Sequence, residues 1–103
     1  MTNGNKKYEI DITKAIIKNL NVIPNCFVVK RRAGPGQKGR PDITGCIQGI
    51  RLEIEVKLPG NHPTEKQAQW LKKWKDTGAI SFWTDNAKQA INMVLSELQS
   101  RQG

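Results

Sequence analysis

The stretch Asp42-Ile43-Thr44-Gly45-Cys46-Ile47-Gln48-Gly49-Ile50-Arg51-Leu52-Glu53-Ile54-Glu55-Val56-Lys57 decides the fold, because it reads as two strands around a tight turn. Ile43 to Ile47 and Ile50 to Lys57 are the strands, and Gln48-Gly49 is the turn, a weaker form of the Asn-Gly hairpin signal. Side chains alternate across a strand, so Ile50, Leu52, Ile54 and Val56 share one face and Arg51, Glu53, Glu55 and Lys57 the other. A two-residue turn pairs Ile47 with Ile50. Counting outward, Gly45 faces Leu52 and Ile43 faces Ile54, while Thr44 faces Glu53 and Asp42 faces Glu55. The apolar residues agree with that register, and a slip of one residue would turn a whole strand to the wrong face.

The same register sets two carboxylates, Asp42 and Glu55, opposite one another at roughly 5 Å between Cβ atoms, with Lys57 next along that face. Like charges directly opposed destabilise a sheet, so this pair calls for something positive between its members. A divalent cation meets that need. Mg²⁺ prefers oxygen, takes one or two carboxylates and keeps water in its other positions. Such an ion lowers the pKa of a bound water, and a lysine beside it orients that water or offsets developing charge. For any one of the four charged residues, a solvated strand face with ion pairs is the plainer account. The whole pattern favours a site.

Working outward, Tyr8, Ile12, Ala15, Ile16 and Leu20 recur at helical spacing, and Pro24 closes that helix off. Cys26-Phe27-Val28-Val29 is a short strand run leading into a basic, glycine-rich loop from Lys30 to Arg40. Thr64 opens a second helix with Gln67 three residues on, as in a capping box, and Gly78 stops it. Trp70, Leu71 and Trp74 form its inner stripe, and Gln67 lies on the same stripe; Lys66, Lys72, Lys73 and Lys75 fall mostly outside it. Ala79 to Thr84 is a fourth strand, and a last helix runs from about Asn86 to Ser100 with Ala87, Ala90, Ile91, Val94 and Leu98 inward. The order α-β-β-β-α-β-α predicts an α/β fold, a four-stranded mixed sheet flanked by helices, as a single domain over 1–103.

Seventeen Lys and Arg against nine Asp and Glu give a net charge of +8, a field that attracts polyanions, nucleic acid first among them. The loop before Asp42 concentrates that charge. Arg31, Arg32, Lys38 and Arg40 are candidate phosphate contacts there, with glycines allowing close backbone approach. Met1 to Lys7 is polar and does not resemble a targeting signal, and no stretch is apolar and long enough to span a membrane. Cys26 and Cys46 lack the paired spacing of a zinc or redox motif and read as reduced core thiols, which fits a cytoplasmic location. His62 reads as a surface residue, and the three tryptophans as core rather than platforms for bases.

Gly39-Arg40-Pro41-Asp42, followed by Glu55-Val56-Lys57 at the end of the next strand, resembles the PD-(D/E)XK nuclease signature. From about Gly36 through Thr64-Glu65-Lys66-Gln67 to Trp83 the chain is similar to the VRR-NUC family, whose short stand-alone members occur in phages. That resemblance implies a restriction-endonuclease-like fold and a DNA endonuclease dependent on Mg²⁺ or Mn²⁺. It implies Asp42 and Glu55 as metal ligands with the Val56 carbonyl, Lys57 as the catalytic lysine, and Gln67 beside the site. A glutamate from the first helix is also expected near the metal; Glu9 is the first candidate, Asp11 the second, and Glu53 a further third carboxylate. Branched DNA, such as a Holliday junction, and a homodimer are the expected substrate and assembly, in a phage-infected or bacterial cytoplasm. Two rivals remain open: the same fold acting on linear DNA, flaps or RNA, and a non-catalytic DNA-binding module built on the basic loop and lysine-rich helix.

Overall fold

The computed structural model describes residues 2–102, with side chains from Tyr8 onward. Its elements run α1 (Thr2–Leu20), β1 (Cys26–Lys30), β2 (Ile43–Ile47), β3 (Ile50–Val56), α2 (Glu65–Asp76), β4 (Ile80–Thr84) and α3 (Ala87–Gln102). Helix α1 begins at Thr2 rather than near Tyr8, because its first turn carries no apolar stripe for a periodicity argument to find. Gln48 and Gly49 have φ of 51° and 81°, the left-handed pair that a two-residue hairpin turn demands. The register between β2 and β3 is the expected one, from Ile43 opposite Ile54 to Ile47 opposite Ile50.

The strands lie in the order β1-β2-β3-β4. β2 pairs antiparallel with β1 on one side and β3 on the other, whereas β4 runs parallel to β3. A parallel neighbour requires a crossover, and α2 supplies it. One sheet face carries Val28, Ile43, Ile47, Leu52, Ile54, Val56 and Ile80, which pack with Ile16 and Leu20 of α1 and Ala90, Val94 and Leu98 of α3. On the other face α2 lies over β3 and β4, with Leu71 buried.

Gly45 permits this arrangement by having no side chain. A Cβ there would stand 2.1 Å from the Phe27 carbonyl oxygen and 2.7 Å from Val28 Cα, so β1 can pack this closely on β2 only at a glycine.

Two sequence expectations need correction. Cys46 is exposed because it lies on the α2 side of the sheet, where α2 covers β3 and β4, whereas Cys26 faces the other side and packs half-buried against the core; both are free thiols. The tryptophans are half-buried rather than core. The face beneath α2 is charged, so the indoles sit against cations: Arg40 lies 4.7 Å above Trp70 and Arg51 4.4 Å above Trp74. Trp83 meets His62, which is exposed as expected, at 5.4 Å between ring centres.

Candidate active site

Asp42 sits one residue before β2, beyond the last rung of its ladder with β3. The Val56 amide donates to its Oδ2 at 2.9 Å, which fixes the carboxylate at the end of β3. Glu55 is only 3 % exposed. Its Oε1 is buried with no hydrogen-bond partner. Lys57 Nζ stands 3.9 Å from Glu55 Oε2, and its backbone N–H donates to the Thr84 carbonyl at 2.9 Å, holding this residue beside β4. The strand face is therefore no solvated surface. Three ionisable groups meet at the end of the sheet under partial cover.

Burial pushes the Glu55 carboxyl up to about 8. The Asp42 charge adds to that, Lys57 offsets part of it, and a side-chain hydrogen bond with Asp42 and the charge of Glu9 raise it further. Without a cation, the site keeps a proton that two opposed carboxylates would otherwise lack. Glu9 is itself shifted upward, first by burial and then by Asp42, while Lys57 and Lys30 pull it down. Helix α1 thus brings Glu9 within electrostatic reach of Asp42 and Lys57, whereas Asp11, two residues along, is exposed. Among the described residues, no three His, Cys, Asp or Glu side chains converge tightly enough to enclose an ion by themselves. Glu9 accordingly lies at a longer reach than the Asp42 and Glu55 pair.

Glu53, the other candidate third carboxylate, is turned to a different use. It is fully buried, and its oxygens accept from Arg31 Nη2 at 2.5 Å, from Arg51 Nε at 2.9 Å and from the Thr44 hydroxyl. Arg31 is correspondingly turned inward instead of projecting from the loop. Gln67 closes the capping box: its Oε1 accepts from the Thr64 amide at 2.9 Å, and its own amide donates to Thr64 Oγ1 at 3.2 Å.

Of the remaining loop cations, Arg32 and Lys38 are exposed, and Arg40 stacks on Trp70 with its Nε buried and unpartnered. Lys66, passed over in the sequence as one of the outer lysines, lies across the loop. Gly39 has φ of 83°, and a Cβ there would stand 2.7 Å from Lys66 Cγ, so the glycine leaves a seat for the lysine stem. Its place in the second position of a helix after a capping threonine was the available signal, and it is a faint one.

An α/β domain with three antiparallel strands, a parallel fourth and an acidic pair at the sheet end is restriction-endonuclease-like. Solved structures narrow the fold. One described as a "VRR_NUC domain" superposes with a TM-score of 0.70 at 21 % identity, over 84 % of this chain and 94 % of its own. A "VRR_NUC domain protein" gives 0.67 at 15 % identity, over 84 % of each chain. No protein-family profile matches the sequence, and no curated protein does. The chain has the fold of the VRR_NUC domain proteins.

Proposed function

We propose that the chain is a metal-dependent endonuclease that hydrolyses phosphodiester bonds in DNA. The observation that carries this reading is the opposition of Asp42 and buried Glu55, whose Oε1 has no partner, with Lys57 alongside. A buried carboxylate oxygen without a donor is costly, and a hard cation is the partner that suits it. Asp42, Glu55 and the Val56 carbonyl would hold Mg²⁺ or Mn²⁺, with Glu9 reaching the ion through water. A bound divalent ion would lower the pKa of water and neutralise charge on the scissile phosphate.

The chain's own groups supply the rest. Lys57 directs its ammonium to the attacking water and to the negative charge that grows on phosphate. Arg40, Lys66, Arg32 and Lys38 hold flanking phosphates, a contact that orients the strand without reading its sequence. Gln67, engaged in the cap, acts by holding the start of α2 beside the loop. The preferred substrate is branched DNA such as a four-way junction. A single site per subunit cuts one strand, so paired cuts call for a homodimer, which gel filtration at working concentration tests directly.

The function is tested by cleavage of labelled four-way junction, flap, linear duplex, single-stranded DNA and RNA with Mg²⁺, Mn²⁺ or EDTA. Lys57→Ala is run beside the wild type. Metal-dependent cutting, lost in the variant and strongest on the junction, is expected. Salt-sensitive binding without any cutting would instead make the chain a non-catalytic DNA-binding module.

A further inference from the structure

The Glu53 oxygens are taken up by Arg31, Arg51 and Thr44, and these partners lead straight to Asp42. Arg31 donates through Nη2 to Glu53 Oε1 at 2.5 Å and through Nε to the Pro41 carbonyl at 2.9 Å. Its backbone N–H donates to the Asp42 carbonyl at 2.6 Å. One arginine therefore grips both carbonyls flanking the Asp42 backbone, and a fully buried carboxylate two residues before Glu55 on β3 holds that arginine in place. Arg51 and Thr44 complete the node from the other side, since Arg51 Nη2 also donates to Thr44 Oγ1 at 3.1 Å. Asp42 precedes β2 and lies beyond the last rung of the β2–β3 ladder.

We infer that Arg31 and Glu53 are positioning residues that set the Asp42 carboxylate against Glu55 and thereby govern affinity for the divalent ion. A guanidinium is required. Its planar fork reaches a carboxylate and a carbonyl at once, whereas an ammonium is a single point that meets one of them well. The fork also ties the Asp42 backbone, just ahead of β2, to the strand that carries Glu55, so the separation of the two carboxylates is fixed before any ion arrives. This inference rests on the metal-site reading of Asp42 and Glu55.

The test is direct Mn²⁺ binding to the DNA-free protein, read from loss of the free-ion signal in electron paramagnetic resonance. Wild type is compared with Arg31→Lys, Glu53→Gln and Arg51→Lys, the last touching Glu53 and Thr44 but not Pro41. Chemical unfolding of each variant gives its stability. Arg31→Lys and Glu53→Gln should bind Mn²⁺ roughly 10- to 100-fold more weakly, the range for groups that support metal ligands. Arg51→Lys should lose comparable stability yet stay within about threefold of wild-type affinity, a split that a merely structural node would not produce. Unchanged affinity in either Arg31→Lys or Glu53→Gln, or an equal loss in Arg51→Lys, overturns the inference while leaving the metal site standing. Failure of the wild type to bind Mn²⁺ overturns the metal site and the positioning role together. Each variant breaks the same Arg31–Glu53 contact from a different side, so either one that folds decides the matter.

Discussion

Replacing Glu55 by Gln should make the metal-free protein more stable while abolishing its metal site. Glu55 is buried, its Oε1 lacks a partner, and its carboxyl titrates near 8 rather than at the ordinary 4.5. Its folded pKa is raised, so the stability tied to its proton is complete below about pH 4.5. That stability is lost as pH climbs through about 8. At ~1.36 kcal/mol per tenfold difference in proton affinity, the native state forfeits about 1 kcal/mol at pH 5 and about 3 kcal/mol at pH 7. A glutamine amide mimics the protonated acid and donates to Asp42, so the variant should escape that loss. Urea unfolding followed by tryptophan fluorescence, in EDTA at both pH values, measures the difference. A gap between variant and wild type that widens from pH 5 to pH 7 is expected. An unchanged gap, or a variant less stable at pH 7, would refute the account of why Glu55 is protonated.

The same proton should be expelled by the ion: Mg²⁺ binding at pH 6 should release close to one proton and weaken about tenfold per pH unit below 8, with little release at pH 9, by calorimetry in buffers of different ionisation enthalpy. Lys66→Ala should raise KM several-fold with kcat little changed and lower the salt dependence of DNA binding by about one phosphate contact, read from affinity against salt concentration. Gly45→Ala should destabilise the fold by at least the 1–3 kcal/mol typical of overpacking, because its Cβ meets backbone that cannot swing aside, and denaturant unfolding would show it.

The hairpin was legible because two independent cues agreed, alternation in Ile50 to Val56 and a two-residue turn at Gln48-Gly49. Together they put Asp42 beside the Glu55 end of β3, one step past the last rung of the ladder. Glu9 was legible only through resemblance. The roles of Glu53 and Arg31 were not, since both depend on residues 22 apart meeting across three strands, and no local pattern encodes that contact. The tryptophans misled for a related reason. Helical spacing identifies the inner stripe of α2 but not what lies beneath it, and there β3 presents Arg51 and the basic loop presents Arg40. Cys46 was misjudged because strand alternation cannot say which half of a sheet a helix covers.

The most direct test of the central claim is anomalous diffraction from crystals of the protein soaked in Mn²⁺. The account predicts a peak between the carboxylates of Asp42 and Glu55, close to the Val56 carbonyl, lost in Asp42→Asn. A saturating soak with no peak there, or a peak only elsewhere on the surface, would contradict it.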